Sequence, residues 1–401
     1  MRKVRGATVV SLFSGIGGIE LGLSASGFMP RLFCEADTQA QAVLRKHWPD
    51  VEFSDDVRTL PAIPPCDVIT AGFPCQDLSQ AGKKAGITGK NSGLVEHLFR
   101  LLSGLTFEPE WIVIENVPYM LSLNNGHAIE YVLDRLEELG FKWAYRSIDA
   151  RAFGVPQRRV RVVLLASRVN DPTAALWTDA TTPISDLKPA NLEEGAAYGF
   201  YWTEGSRGLG WVKNAIPPIK GGSGLGIPSA PAIWRPTFQQ VGKPIIEDGE
   251  RLQGFPAGWT EAAIDVGKGR IGARWRLVGN AVNVEMAKWI GVRLGEKRMP
   301  MVVDEGLIRP DKPYPPSAHG FRGRRRSLAL NQFPVVNPMT AIEDFLEHDL
   351  QPLSQKAALG FLHRALTTPK LVYAPEFLSF LKAYCGIDRH YWYGGIERIA
   401  V

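Results

Sequence analysis

A chain of 401 residues with 45% apolar and 22% charged residues can bury more than one hydrophobic core. Its net charge of +5 permits a nucleic-acid partner without requiring one, while no apolar run approaches the roughly 18 residues of a membrane span and Met1-Arg2-Lys3 leads into no signal-peptide core. Four unevenly spaced cysteines form neither a disulfide framework nor a CxxC zinc pair, so a reducing, cytoplasmic setting without a metal site is expected.

Thr8 to Phe13 is a continuous apolar strand run that breaks into Ser14-Gly15-Ile16-Gly17-Gly18, with a helical pattern from Ile19 to Leu23. A glycine turn between strand and helix lets backbone approach a ligand closely. Arg31-Leu32-Phe33-Cys34 is the next strand, and Glu35 at its end is placed to accept hydrogen bonds from two ribose hydroxyls. The short run Val68 to Ala71 then delivers Gly72-Phe73-Pro74-Cys75-Gln76 to a turn. A thiol there is a nucleophile if cations or a helix N-terminus lower its pKa below about 8.5, and an inert small hydrophobe otherwise. The inert reading is the expected one for Cys34, Cys66 and Cys385.

Gln80 to Lys90, rich in glycine and lysine, reads as a mobile loop following Cys75. Trp111 to Val117 is another buried strand, ending in Glu115-Asn116. Gln157-Arg158-Arg159-Val160-Arg161 runs into Val162 to Leu165, and strand alternation puts Arg159 and Arg161 on one side. Several apolar strands thus end in polar groups, as at the ligand crevice of an open parallel sheet. From about Arg168 to Lys243 the strand-helix alternation stops and Gly, Pro and Trp accumulate, including Gly221-Gly222-Ser223-Gly224. Glu285 to Leu294 is an amphipathic helix. Beyond it, Arg309 to Pro316 reads as a linker or a surface strap. Phe321-Arg322-Gly323-Arg324-Arg325-Arg326 reads as a phosphate contact or a solvated linker. Helical periodicity follows from Ala341 to Ala383, and Tyr391-Trp392-Tyr393 is an aromatic tail expected to pack on the body.

In this order the motifs resemble those of the cytosine-5 DNA methyltransferases: Leu12 to Gly18, Gly72 to Gln76, Glu115-Asn116-Val117, Gln157 to Arg161, Arg251-Leu252-Gln253-Gly254-Phe255-Pro256 and Gly279-Asn280-Ala281-Val282. Order and spacing agree from about residue 7 to 295, and a series of motifs is far more specific than any one of them. Ser11 stands where the family commonly has aspartate. The resemblance implies a Rossmann-like, doubly wound, mostly parallel α/β sheet, a smaller irregular target-recognition domain and a C-terminal helical extension. The expected boundaries are 1–167 for the catalytic domain, 168–245 for recognition, 246–298 for the return to the catalytic domain and 299–401 for the extension.

The implied cofactor is S-adenosylmethionine. Phe13 would stack near the adenine, Gly15 and Gly17 would make room for the methionine part, and Glu35 would bind the ribose. Asp56-Val57 would read the adenine edge, with Asp55 leaving the register open by one residue. Pro74 joins this cofactor set, and Asn280 and Val282, at the start of the last helix, would close the pocket. Catalysis would fall to Cys75 as the thiolate adding to cytosine carbon 6, to Glu115 at ring nitrogen 3, and to Arg159 and Arg161 holding a flipped base. The Lys-rich loop would close over double-stranded DNA with its lysines on phosphates.

The recognition segment lacks the Thr-Leu or Thr-Val pair of many family members, leaving open which loop supports the flipped base. The partners implied are DNA, bound by a monomer, and a cognate restriction endonuclease acting separately, with no membrane involved. An RNA cytosine-5 methyltransferase and a catalytically idle DNA-binding regulator are the other readings. The long recognition segment weighs against the first, and intact Cys75, Glu115 and Asn280 against the second.

Overall fold

The computed structural model describes residues 6–74, 93–178, 181–182, 184, 192–203, 210–221, 230–266, 271–296, 305–309, 312–368 and 373–387. Cys75, Gln76, the Gln80 to Lys90 loop, Gly222-Ser223-Gly224 and Tyr391-Trp392-Tyr393 lie outside these residues.

Strands β1 (Thr8–Leu12), β2 (Met29–Cys34), β3 (Glu52–Ser54), β4 (Val68–Ala71) and β5 (Trp111–Asn116) run parallel in the spatial order β3-β2-β1-β4-β5. Their apolar runs are continuous because both faces are covered. Val10, Leu12, Ile69, Ala71, Ile112 and Ile114 point into a core shared with the helices Leu94–Ser103 and His127–Glu138. Val9, Val68 and Val113 point the other way, onto the helices Gly18–Ser24 and Val284–Gly295. The order reverses between β1 and β4, which opens a crevice at the carboxyl ends of these strands. The doubly wound architecture is thus present. It is extended by β6 (Lys142–Asp149) and β7 (Val160–Ser167), with β7 antiparallel to both β5 and β6.

A second, antiparallel sheet is built from β8 (Tyr198–Phe200), β9 (Val212–Lys213), β10 (Ala232–Arg235) and β11 (Gln240–Lys243). One of its faces carries Tyr198, Phe200 and Trp234. The other turns Ala197 and Ile233 onto Leu252, Trp275 and Val278, which come from the returning catalytic segment.

The last hundred residues divide between the two sheets. Strands β12 (Glu305–Leu307), β13 (Ser317–Phe321) and β14 (Arg324–Leu328) add to the large sheet beyond β6, making it ten-stranded. The basic run is therefore one β-hairpin. Arg325 turns inward, with Nε 2.8 Å from Glu137 Oε1 and Nη2 2.5 Å from Asp134 Oδ1. The proline-rich stretch before it is a strap: Tyr314 N donates to Leu121 O, Ser147 N to Pro316 O, and Tyr145 Oη to Pro315 O. Strand β15 (Gln351–Pro352) pairs with β11 of the small sheet. The helices Gln355–Thr367 and Pro375–Tyr384 then lay Phe361, Leu362, Phe377 and Leu381 on its aromatic face. Among the described residues no helix is long and apolar enough to cross a membrane.

Candidate active site

The crevice starts from the turn after β1. Phe13, Gly15 and Gly17 all have positive φ, at 57°, 56° and 78°, a region that penalises ordinary side chains. The two glycines serve different ends. A Cβ on Gly15 would meet nothing within 4 Å, so this backbone borders open space, whereas a Cβ on Gly17 would sit 2.5 Å from the Trp48 ring. Gly17 makes room for an indole. Trp48 in turn stands edge-on to Trp259, whose Nε1 donates to Ile16 O at 3.0 Å and whose ring stacks on His47 with centroids 3.5 Å apart. This aromatic buttress was not foreseen from the sequence, although Trp259 lies three residues beyond the Gly254-Phe255-Pro256 motif.

Glu35, at the end of β2, accepts from Gly15 N on Oε2 at 2.7 Å and from Asp37 N on Oε1 at 2.8 Å. Burial raises its proton affinity, and the two N–H groups oppose that. Each carboxylate oxygen keeps a lone pair for a further donor. Val57 is buried, and the Asp56 carboxylate is held by the Arg58 guanidinium, which lowers its pKa. Asp55 pairs with Arg45 in solvent.

Strand β4 ends in the Gly72-Phe73-Pro74 turn that leads to Cys75. Asn116, at the end of neighbouring β5, donates from Nδ2 to Phe73 O at 3.0 Å, and its Oδ1 accepts from Val117 N. The strand-end amide therefore fixes the backbone just before the thiol, a role the sequence motif did not disclose. Phe73 also meets Phe13 edge-on, with centroids 6.2 Å apart. Pro74 is exposed. The described thiols fit the inert reading: burial pushes Cys34 up to about 11 and Cys66 up to about 12, and raises Cys385.

Glu115 is buried at the end of β5, on the crevice side of Gly72, and Arg161 Nε stands 2.9 Å from its Oε1. Burial raises the carboxyl's pKa, while Arg161 and then Arg159 pull the other way. Arg159 lies on the same side as Arg161, as alternation requires, but its Nη atoms turn to backbone carbonyls. Fully buried, it donates from Nη1 to Ile219 O at 3.0 Å and from Nη2 to Gly279 O at 3.0 Å and Ala281 O at 2.6 Å. Burying a guanidinium requires acceptors, and here three backbone carbonyls take its Nη donors. Asn280 closes the helix Ile271–Asn280 and is exposed, and the next helix begins at Val284 with Asn283 as its cap. Val282 is buried, and its carbonyl abuts Gly18.

The Arg251-Leu252-Gln253-Gly254-Phe255-Pro256 motif acts as a clamp. Gln253 Nε2 donates to Val278 O at 2.9 Å, and buried Glu250 takes Gly258 N, Thr260 N and Arg274 Nη2. Gln157 Nε2 reaches Leu252 O at 2.9 Å. The motif residues so far apart in sequence therefore hold one another.

Comparison with known proteins agrees with this geometry. Residues 7–196 match the family model for the C-5 cytosine-specific DNA methylases. The Type II methyltransferase M2.BsuMI of Bacillus subtilis (strain 168) is 49% identical over 93% of this chain and 97% of its own. M.NaeI of Lentzea aerocolonigenes is 28% identical over 71% of this chain and 74% of its own. M.BsuFI of Bacillus subtilis is 33% identical, but over only 39% and 38%. With the crevice, its carboxylates and a relative 49% identical over nearly the full length in agreement, the chain belongs to the C-5 cytosine-specific DNA methylase family and is a DNA cytosine-5 methyltransferase.

Proposed function

We propose that Cys75 is the nucleophile, that Glu115 and Arg161 manage charge on the target ring, and that the methyl donor is S-adenosylmethionine. The observation that carries this reading is the buried Glu115–Arg161 pair beside a Gly72-Phe73-Pro74 turn pinned by Asn116. Cytosine carbon 5 is a poor nucleophile. A Cys75 thiolate adding to carbon 6 pushes electrons onto ring nitrogen 3, and a protonated Glu115 donates there, which its burial favours. Arg161 then pairs with the carboxylate left behind. After carbon 5 has taken the methyl group, its proton passes to a water acting as base, the Cys75 thiolate is eliminated from carbon 6, and the proton on ring nitrogen 3 returns to Glu115.

The residues around Gly15 suit the proposed donor, which supplies an electrophilic methyl group on a sulfonium. Open space borders Gly15, and Glu35 offers acceptors for a pair of hydroxyls. Phe13, Gly17, Asp56, Val57, Pro74, Asn280 and Val282 line or support this side of the crevice by resemblance. We further infer that the protein acts on duplex DNA as a monomer, in a restriction-modification setting with a separately acting endonuclease. The Type II names of the relatives support that setting.

The test is bisulfite-type sequencing of DNA from cells expressing the protein beside a Cys75→Ser variant, with total RNA examined in parallel. Methylated cytosine confined to one short DNA motif, and lost in the variant while DNA binding persists, is the expected result. Normal turnover by the variant would sink the covalent mechanism, and a signal only in RNA would sink the DNA assignment.

A further inference from the structure

One buried acid takes no part in the proposed chemistry. Glu20 sits in the first turn of the helix Gly18–Ser24, just beyond Gly17, and its carboxyl turns to the large sheet. Ser11 and Thr70 are register partners on β1 and β4, and strand alternation puts them on the same face as Val9 and Val68. Thr70 Oγ1 donates to Glu20 Oε1 at 2.6 Å, and the Ser11 hydroxyl is the carboxyl's second side-chain partner. All three residues are 1% exposed, in a layer otherwise built from apolar side chains such as Val9, Ile19, Leu23, Val68 and Ile290. Among the described residues no cation faces the carboxyl. Burial raises its pKa, and the two hydroxyls oppose that.

The turn that this helix leaves has to be held. Phe13, a non-glycine residue, stands there at φ 57°, a conformation that persists only where its surroundings over-determine it. On the β2 side, Ser14 N donates to Cys34 O at 3.2 Å and the Ser14 hydroxyl donates to Ser11 O at 3.1 Å. On the other side the helix is packed tightly from outside: a Cβ on Gly18 would lie 2.6 Å from Val282 O, and one on Gly22 would lie 2.5 Å from Ala287 Cβ. Apolar packing presses a short helix onto a sheet without fixing where along it the helix sits, whereas a hydrogen bond has a direction. Glu20 supplies such bonds to β1 and β4, the strands between which the sheet order reverses and the crevice opens. The serine at position 11 then has a physical reason. Its hydroxyl serves the buried carboxyl, while an aspartate there would set a second carboxyl beside it.

We propose that Glu20 is a positioning residue: bonded to Ser11 and Thr70, it sets the helix Gly18–Ser24 on the sheet and so holds the Phe13 to Gly17 turn in the form that receives S-adenosylmethionine. The inference rests on the cofactor reading above and adds a residue that acts through the turn rather than on the ligand.

The test is isothermal titration of the full-length protein with S-adenosylmethionine, with Tm measured beside it, for the wild type, Glu20→Gln, Glu20→Ala and Thr70→Val. Ile290→Ala, in the same apolar layer, is the control, and titrations are run well below the lowest Tm. Glu20→Gln keeps the shape, the neutrality and the hydrogen-bonding end of the side chain, and should bind within about twofold of the wild type. Thr70→Val should bind about threefold and Glu20→Ala about tenfold more weakly. Ile290→Ala should lower Tm without lowering affinity. Unchanged affinity in Glu20→Ala, or an equal loss in Ile290→Ala, would overturn the proposal, because the acid would then serve stability alone. A loss in Glu20→Gln as large as in Glu20→Ala would also overturn it, since the bonded geometry would not be what matters. If Glu20→Ala does not fold, Thr70→Val decides, and wild-type affinity there overturns the proposal. A wild type that takes up no S-adenosylmethionine would instead overturn the cofactor reading beneath it.

Discussion

The two sheets are assembled in opposite ways. In the large sheet the proposed chemistry is local: β1, β2, β4 and β5 each end within a few residues of a proposed site residue, Gly15, Glu35, Cys75 and Glu115 respectively. The small sheet is built around an aromatic core. Its aromatic face, Tyr198, Phe200, Trp211 and Trp234, is covered by Phe361, Phe377 and Phe380 from helices that follow only after the chain has returned to the large sheet and left it again. The proposed chemistry thus depends on short motifs at strand ends, whereas the small sheet depends on a core collected from remote segments. The boundary expected near residue 299 accordingly does not mark off a separate unit, since the residues beyond it finish both sheets.

The sharpest way to break this contrast is Phe377→Ala. Phe377 is fully buried, with ring centroids 5.1 Å from Phe200, 5.1 Å from Trp211 and 4.9 Å from Trp234. Its loss should cost about 3–5 kcal/mol. An early melting step and lost DNA binding are expected in calorimetry and gel-shift assays, with cofactor binding retained. A parallel loss of cofactor affinity would mean that the two regions do not separate.

A smaller effect, on the other side of the comparison, is expected from Glu35→Gln. It exchanges a carboxylate that receives Gly15 N and Asp37 N for an amide, in a setting where hydrogen bonds to charged groups contribute about 1.5–3 kcal/mol. Isothermal titration should show tenfold or more weaker cofactor binding with DNA binding little changed. Equal losses of both would argue that the turn after β1 supports the whole molecule rather than one ligand.

The smallest effect is one of pH. Burial outweighs Arg161 and Arg159 at Glu115, so the folded protein holds this proton more tightly than the unfolded chain. The resulting stabilisation is present below the ordinary carboxylate range and is lost as pH climbs through the raised value. Glu115→Gln has no such proton to lose. The difference in Tm between variant and wild type should therefore move in the variant's favour over that window and level off above it, even as methyl transfer falls. A difference that moves the other way would mean that the ion pair with Arg161 dominates burial.

Much of the catalytic half was legible because its signals are short-range. Continuous apolar runs marked strands buried on both faces, a glycine turn marked the close approach at Gly15, and polar residues at strand ends marked the crevice. Arg159 and Arg161 look alike in sequence, and nothing local says that one meets Glu115 while the other is used by the carbonyls of Ile219, Gly279 and Ala281. Gly17 likewise reads as a ligand glycine until Trp48 is found against it. The run Phe321 to Arg326 reads in sequence as a phosphate contact or a solvated linker because the partners of its Arg325, Asp134 and Glu137, lie far up the chain.

By itself, then, the sequence determined the order of strands and turns and the residue types delivered to each strand end, because backbone conformation and burial periodicity depend on near neighbours. Only the tertiary structure decided which arginine keeps company with Glu115, that Asn116 fastens the turn before Cys75, and that the last segment completes the core of the small sheet. Those outcomes depend on which distant surfaces come together to bury apolar rings and satisfy buried charges, and no local pattern encodes that choice.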